Sequence, residues 1–170
     1  MILIYPGSFD PITAGHTDII CRAAKFAQRV IIAVLENPNK KTLFSVEERI
    51  AFIKEALRTK DTCPIEVDSF SGLLSEYALR KKADAILRGL RTSEDFEHEN
   101  KYAVSNSALS ASLGNQVETV FLPASPALTF VSSSIIKEAA AHIYKANLDD
   151  SFIAKLVPPL ARAALQKSFS

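Results

Sequence analysis

The residues best suited to chemistry in this chain lie in segment 6–16, PGSFDPITAGH, which directly follows an apolar run at the N-terminus. Gly7 and Gly15 allow the backbone to turn and to approach a ligand closely, and Ser8 supplies a hydroxyl group. A helix that begins near His16 would direct its free N–H groups at an anion. The pattern therefore predicts a phosphate site at a strand-to-helix turn. The alternative is an ordinary polar turn with a surface or capping histidine.

A second candidate site contains two arginines, Arg88 and Arg91, which come at the end of another apolar run. Guanidinium groups bind phosphate oxygens through paired hydrogen bonds, so two of them here suggest a polyphosphate or two separate phosphates. The alternative is surface ion pairing with the acidic residues that follow, which are Glu94, Asp95, Glu97 and Glu99.

Two further polar turns carry groups suited to phosphate. Segment 36–41, ENPNKK, offers Lys40 and Lys41, although a basic turn is often simply solvated. Segment 130–134, FVSSS, presents serine hydroxyls before a helix, where they would hold terminal phosphates or cap the helix. Because all of these segments would follow strands, independent structural explanations for each are improbable together.

The elements that must position these residues alternate between short apolar runs and helical periods. Strands are predicted at 2–5, 30–35, 65–67, 85–87 and 117–122, and helices at about 16–28, 46–58, 72–82, 95–113 and 133–145. Ser45 and Glu48 form a capping box before the second helix. Its predicted apolar face is Ile50, Ile53, Ala56 and Leu57. The alternation predicts an α/β fold, a doubly wound parallel sheet that binds ligands outside the carboxyl ends of its strands.

Length and termini favour one domain, residues 1–170, since domains average roughly 150 residues. A C-terminal helical segment is predicted from about residue 149, interrupted by Pro158-Pro159. The N-terminus has no basic region, and its apolar run ends at Tyr5, far short of a signal core or a membrane span. We therefore expect a cytoplasmic protein with no membrane partner.

The composition excludes several classes of protein. Lys and Arg total 20 and Asp and Glu total 19, so the net charge of +1 disfavours binding to nucleic acid. None of the five glycines is two positions from another or precedes a lysine, which excludes the dinucleotide fingerprint and the P-loop. The isolated Cys21 and Cys63 argue against a disulfide framework and a cysteine zinc site. The three histidines lack the spacing of a helical metal-ligand pair.

The motifs resemble a known family. Residues 13–16, TAGH, resemble the T/H-x-G-H signature of the nucleotidyltransferase superfamily, and residues 130–137, FVSSSIIK, resemble its serine-rich second signature. Residues 88–99, RGLRTSEDFEHE, together with GSFDPITAGH are similar to the bacterial phosphopantetheine adenylyltransferases. The resemblance covers about residues 1–145. It implies a Rossmann-like nucleotidyltransferase fold with a five-stranded sheet.

The resemblance also implies an activity, which is transfer of AMP from Mg²⁺-bound ATP to 4′-phosphopantetheine. The products are 3′-dephospho-coenzyme A and pyrophosphate, in coenzyme A biosynthesis. No protein metal ligands are implied, since Mg²⁺ is carried by ATP. A homohexamer is implied too, and an apolar helix face at Ala103, Leu109 and Leu113 would serve subunit contacts or the core.

The family's site residues carry over by position. His16 would stabilise the transition state, with Lys40 and Arg88 as further catalytic cations. Phosphopantetheine would contact Ser8, Lys40, Leu74 and Arg88. ATP would contact Ser8, Phe9, His16, Gly89, Leu90, Arg91, Glu99, Leu128, Thr129, Phe130, Val131, Ser132, Ser133 and Ser134. Two positions depart from the family: Ser8 replaces a usual threonine and keeps the hydroxyl, and Leu128 stands where an aromatic residue is common.

Two other functions compete with this interpretation. A sister nucleotidyltransferase acting on nicotinamide mononucleotide or glycerol phosphate would share Gly15-His16 and the serine-rich turn, but it does not account for residues 88–99. A non-catalytic nucleotide-binding domain is the second, because fold alone does not fix function. Release of pyrophosphate with different acceptors distinguishes them.

Overall fold

A computed structural model describes residues 1–37, 40–60 and 64–170. Pro38 and Asn39 of the predicted basic turn, and Cys63, lie outside the described residues. The strands are β1 Ile2–Gly7, β2 Arg29–Leu35, β3 Ile65–Phe70, β4 Ala85–Leu90 and β5 Glu118–Pro123. The α-helices are α1 Ala14–Ala23, α2 Val46–Leu57, α3 Leu74–Arg80, α4 Ser93–Ser112, α5 Ser133–Lys145, α6 Ser151–Leu156 and α7 Pro159–Phe169. A short 3₁₀ helix, Pro126–Leu128, precedes α5 and was not predicted.

The strands form one parallel sheet in the order β3-β2-β1-β4-β5. The order reverses at β1, which pairs with β2 on one side and with β4 on the other. Ligands of such sheets bind in the crevice outside the carboxyl ends of the strands at this point. The predicted α/β fold class is confirmed, and the carboxyl ends of β1 and β4 are where a site is expected.

Both faces of the sheet are covered, which explains why the central strands are almost continuously apolar. Leu3 of β1 points into a core built with α1, α2, α5, α6 and α7, while its neighbour Ile4 points into a second core beneath α3. Both side chains have no exposed surface. Burying a side chain of this size stabilises the fold by about 1.5–3 kcal/mol. The middle of the sheet is therefore a stable support for the turns that follow the strands.

Several boundaries differ from the predicted ones. The strand β4 continues to Leu90, so Arg88 lies inside the strand and not after it. The helix α1 begins at Ala14, which makes His16 its third residue, and its last turn tightens where the N–H of Lys25 bonds to the carbonyl of Arg22. It therefore ends before the predicted residue 28.

The helix α2 confirms its capping box and corrects its buried face. The Ser45 hydroxyl accepts the N–H of Glu48 at 3.2 Å, and the Glu48 carboxylate accepts the N–H of Ser45 at 2.9 Å. The buried residues are Arg49, Phe52, Ile53 and Leu57. Ile50 and Ala56 are only partly buried, because the face that meets the core is rotated toward Arg49.

The C-terminal segment is helical and interrupted at the proline pair, as predicted. Pro158 stands before α7 and Pro159 is its first residue, a position where the missing N–H is not needed. Ile153 of α6 and Leu165 of α7 are fully buried in the core that contains α5. Across the described part of the chain, we find no helix with the length and apolar character to cross a membrane.

Candidate active site

A cavity of about 680 Å³ opens at the carboxyl ends of β1 and β4. This size suits a small organic ligand. Its walls come from the β1–α1 turn, the segment after β2, the end of β4, the start of α3, one side of α4 and the start of α5. All of the phosphate-type segments identified in the sequence therefore meet at one place.

The β1–α1 turn is held by the ring of Phe9. This ring is 2 % exposed and meets the rings of Tyr5 and His16 edge-on, with centroids 5.5 and 5.2 Å away. The burial stabilises a left-handed backbone at Phe9, where φ is +47°. Phe9 is thus part of the core and also one of the residues that line the cavity, and its predicted contact with ATP stays a prediction.

The two glycines of this turn differ in how much space a side chain would have. A Cβ on Gly7 would lie 3.0 Å from the Phe9 ring, so a larger residue would displace that ring. A Cβ on Gly15 would meet its nearest atoms at 3.6 Å, which is ordinary contact. Neither residue has a positive φ, so the turn uses no backbone conformation that is reserved for glycine at either position. Close approach to a ligand at Gly15 stays a prediction.

His16 is fixed in both orientation and protonation. Its Nδ1 accepts the backbone N–H of Thr13 at 3.1 Å, which places the proton of the neutral ring on Nε2. Burial of the ring, reinforced by the positive charge of Arg91, lowers the pKa of His16 to about 4. At neutral pH the residue therefore lines the cavity as an uncharged hydrogen-bond donor.

Ser8 lies between two cations. Its hydroxyl accepts a hydrogen bond from Nζ of Lys40 at 2.9 Å, and its carbonyl accepts one from Nη1 of Arg49 at 2.7 Å. Arg49 is 3 % exposed and also donates to the carbonyl of Leu35, so it joins the β1–α1 turn to the end of β2. Lys40 lines the cavity, whereas Lys41 is not among its lining residues.

Arg88 and Arg91 both line the cavity, and each has a carboxylate partner from α4. The Nε of Arg88 lies 2.5 Å from Glu99, and its Nη1 donates to the carbonyl of Pro6. The Nε and Nη2 of Arg91 donate to Asp95 at 2.9 and 3.1 Å. The phosphate interpretation and the ion-pair alternative are therefore both compatible with this geometry.

Gly89, which follows Arg88 in β4, has little room for a side chain because the strand passes close to α1 and β1. A Cβ there would come within 3.2 Å of Ile19 and 3.3 Å of the Tyr5 hydroxyl. Burial raises the pKa of Tyr5 well above its ordinary value, so this phenol is a neutral group under the site.

The serines of residues 132–134, here called the serine turn, have different environments. The Ser132 hydroxyl accepts the N–H of Ile135 and caps α5, which confirms the capping interpretation. The Ser133 hydroxyl donates to the carbonyl of Pro11 at 2.8 Å, and Ser134 is exposed. All three line the cavity together with Leu128 and Val131. The α5 N-terminus therefore faces the same space as His16.

The remaining predicted residues divide into two groups. Leu74, Gly89 and Glu99 line the cavity. Leu90, Thr129 and Phe130 are not among its lining residues. The Phe130 ring is exposed and stacks on Phe152 of α6 with centroids 6.5 Å apart. Its assignment to ATP stays a prediction.

Sequence reasoning missed several side chains at the cavity. Asp10 and Lys137 form an ion pair of 2.7 Å at its wall, and α4 adds Asp95, His98, Tyr102 and Asn106. Asp10 stood inside the segment that was singled out, but nothing in its spacing indicated a buried acid. Within the described ranges, no group of three or more His, Cys, Asp or Glu side chains is arranged to hold a metal ion.

Comparison with known proteins places this site in a family. A family model described as cytidylyltransferase-like matches residues 4–139. A phosphopantetheine adenylyltransferase of Caldanaerobacter subterraneus is 51% identical over 139 residues, which is 82% of this chain and 83% of that protein. Another, from Prochlorococcus marinus, is 46% identical over 99% of both chains. This chain belongs to the phosphopantetheine adenylyltransferase family.

Membership in this family confirms the resemblance read from the motifs. The similarity to the Prochlorococcus protein extends through the C-terminal helices, beyond the part of the chain that carries the motifs. Among solved structures, the Plasmodium falciparum nicotinic acid mononucleotide adenylyltransferase complexed with NaAD superposes with a TM-score of 0.68 at 17% identity. The match covers 99% of this chain and 98% of that one, and it shows a shared fold.

Proposed function

We propose that this chain transfers AMP from MgATP to 4′-phosphopantetheine, giving 3′-dephospho-coenzyme A and pyrophosphate for coenzyme A biosynthesis. Relatives about half identical in sequence have the name phosphopantetheine adenylyltransferase. The observation that carries the proposal is that His16 and the serine turn share one cavity with Lys40 and Arg88. Two phosphorylated substrates can therefore meet there.

The reaction is an in-line displacement at the α-phosphorus of ATP. An oxygen of the acceptor phosphate forms the new P–O bond as the bond to the β-phosphate oxygen breaks, and pyrophosphate leaves. Because the second pKa of a phosphate monoester is about 6, the acceptor is already an anion and needs no general base. The protein then acts by positioning the reactants and by stabilising charge.

His16 is suited to stabilise charge on the α-phosphate. Its Nδ1 is occupied by Thr13, so Nε2–H is the donor that remains. Because the pKa of His16 is about 4, the ring donates as a neutral group above about pH 6, where the acceptor phosphate is a dianion. A donor fixed before the reaction adds no reorganisation cost when charge develops.

Lys40 and Arg88 are proposed to hold the acceptor phosphate on either side of the β1–α1 turn. Lys40 contacts the Ser8 hydroxyl, and Arg88 contacts the carbonyl of Pro6. Their charges offset the repulsion between two anions brought together. Leu74 would contact the pantetheine arm, while Gly89, Arg91, Glu99 and the serine turn would contact ATP.

Mg²⁺ is proposed to enter as part of the MgATP substrate, where it neutralises charge on the phosphates. The carboxylates of Asp10, Asp95 and Glu99 are each paired with a cation of the cavity wall. The groups offered to the nucleotide are mainly donors of hydrogen bonds, which fit phosphate oxygens. Phosphate oxygens are in turn the ligands that Mg²⁺ commonly takes in such sites.

We further propose a cytoplasmic homohexamer. The cytoplasmic assignment follows from the substrates, which are charged and would not cross a bilayer unaided. The assembly is supported by α4, where Leu109 and Leu113 are exposed and Ala103 is only partly buried. The alternative that this face belongs to the core of the monomer is wrong, because α4 buries only Ser110.

An acceptor panel tests the proposed activity. The protein is incubated with MgATP and either 4′-phosphopantetheine, nicotinamide mononucleotide, glycerol phosphate or unphosphorylated pantetheine, and pyrophosphate is measured. Of the four acceptors, only 4′-phosphopantetheine is expected to give pyrophosphate. Release with another phosphate instead would favour a sister enzyme, and ATP binding without release would favour a nucleotide-binding domain.

A further inference from the structure

We propose that Asp10 is a positioning residue that ties the loop carrying Lys40 to the start of α5. In this role it holds the cation for the acceptor phosphate in register with the serine turn that receives ATP. The inference rests on the proposed function for its kinetic consequence. Its structural part stands on contacts that can be measured without substrate.

The first half of the tie is made to the backbone before α2. The Asp10 carboxylate accepts the N–H of Leu43 at 3.0 and 3.1 Å and the N–H of Phe44 at 3.0 Å. Phe44 is itself buried, with its ring edge-on to Phe52 of α2. The loop is therefore anchored a few residues from Lys40, whose Nζ reaches Ser8.

The second half of the tie is made to α5. Nζ of Lys137 lies 2.7 Å from Oδ2 of Asp10, and Ser133 donates to the carbonyl of Pro11 next to it. Lys137 is one turn from Ser133, so both contacts fix the first turns of α5 against the β1–α1 segment. Residues from two other parts of the chain thus converge on Asp10 and its neighbour.

A carboxylate is specifically suited to this place. The Asp10 side chain is 3 % exposed, so its charge must be compensated by the protein, and two N–H groups together with one ammonium do so. An asparagine of the same size would remove the negative charge and leave an amide NH₂ among donors. Because the acid is so deeply buried, its effect on the reaction acts through Lys40 and α5.

The reaction is sensitive to such positioning. A displacement of about 1 Å in a group that orients a substrate can lower the rate by roughly a hundredfold. If the Asp10 contacts are lost, residues 40–45 are no longer fixed relative to α5, and Lys40 and the serine turn shift independently. The efficiency with 4′-phosphopantetheine then falls even where the fold is retained.

The test compares Asp10→Asn with Asp150→Asn. Asp150 is the control, because its carboxylate also pairs with a cation, Arg162, and accepts a further hydrogen bond, from the Tyr144 hydroxyl. These contacts join α5, α6 and α7, and Asp150 is not among the residues that line the cavity. Amide hydrogen exchange is measured for residues 40–45 and 133–137, and kcat and KM for both substrates are measured in parallel.

The tie predicts faster exchange at Leu43 and Phe44 in Asp10→Asn, with kcat/KM for 4′-phosphopantetheine lowered about tenfold to a hundredfold. Asp150→Asn should match the wild type in both respects. Unchanged exchange at Leu43 and Phe44, or a kinetic loss no larger than that of the control, would overturn the proposal. If the wild type forms no dephospho-coenzyme A, the proposed function fails, and the exchange result alone decides whether the tie exists.

Lys137→Gln keeps the test decisive if Asp10→Asn does not fold. If Lys137 acted only on the nucleotide, its loss would not affect residues 40–45. If Asp10 joins these residues to α5, loss of the Lys137 ammonium should weaken the contacts of Asp10 with Leu43 and Phe44. Faster exchange at Leu43 and Phe44 in Lys137→Gln without substrate therefore supports the proposal. Exchange equal to that of the wild type contradicts it.

Discussion

The two helices that line opposite sides of the cavity, α5 and α4, are supported in different ways. The shorter α5 buries Ile136 and Ala140 and packs against α6 and α7. The longer α4 packs on α3, β4 and β5 but buries only Ser110 among its 20 residues. Its large exposed residues are Phe96, Tyr102, Val104 and Leu109, followed by Leu113 at its end.

This difference indicates that one side of the cavity is supported by the core, whereas the other depends on a helix with an exposed apolar face. The serine turn and His16 are positioned by the core of one chain, so this side of the cavity is formed within the monomer. Arg88 and Arg91 are held by Glu99 and Asp95 of α4, whose apolar residues are uncovered within the chain. The α4 side is therefore the part of the site that subunit contacts would stabilise.

The largest expected effect concerns His16, on the side of the cavity that is formed within the monomer. His16→Ala should lower kcat on the order of a hundredfold to a thousandfold, because it removes one fixed donor to the transition state. His142→Ala on α5 is the control, since His142 is not among the residues that line the active-site cavity. Steady-state kinetics with both substrates check this, and near-normal turnover in His16→Ala would remove His16 from the mechanism.

The next largest effect concerns the acceptor cations. Lys40→Ala and Arg88→Ala should each lower kcat/KM for 4′-phosphopantetheine by about tenfold to a hundredfold, since a charged hydrogen bond is worth about 1.5–3 kcal/mol. Lys41→Ala, which changes a neighbouring lysine outside the cavity lining, should behave as the wild type. Unchanged acceptor kinetics in both variants would show that neither cation holds the acceptor.

A smaller effect is expected at the exposed apolar face of α4, which we propose as a subunit contact. Leu109→Lys should reduce self-association, as measured by analytical ultracentrifugation, while changing the free energy of unfolding of the monomer by less than about 0.5 kcal/mol. Leu160→Lys, at an exposed leucine of α7, should leave the association unchanged. If both variants assemble equally well, α4 is not the subunit contact.

The smallest expected effect at neutral pH is the contribution that the titration of His16 makes to the free energy of unfolding. The folded chain holds the pKa near 4, whereas an unfolded histidine titrates near 6.5. Between these values the unfolded chain binds the extra proton, so this contribution to the free energy of unfolding is present above pH 6.5 and is lost as the pH falls toward 4. An NMR titration, assigned with His16→Asn, should have its midpoint near 4. A midpoint near 6.5 would contradict the buried neutral ring.

The fold could be predicted from the sequence because its signals are local. Apolar runs between helical segments indicated each of the five strands in the described part of the chain, and Ser45 with Glu48 marked the start of α2. The ends of strands were less certain. The apolar pattern stops at Leu87, but β4 continues through Arg88 and Gly89 because the ladder with Phe121 and Leu122 of β5 continues.

The candidate site was predictable only in part, for a physical reason. Phosphate-type residues after strands are visible in the sequence, whereas the groups that hold them depend on contacts between distant segments. Asp10 meets Lys137 across 127 positions, and no pattern indicates that pairing. Arg49 did leave a signal, since it stands on the same helix face as Phe52 and Ile53. A charge on an apolar face indicates a buried group with a partner.

The most direct test of the central claim is to incubate the purified chain with ATP, Mg²⁺ and 4′-phosphopantetheine and to quantify the products by mass spectrometry. We predict equal amounts of 3′-dephospho-coenzyme A and pyrophosphate, with formation of both strongly reduced in His16→Ala. Binding of ATP with neither product formed would contradict the account.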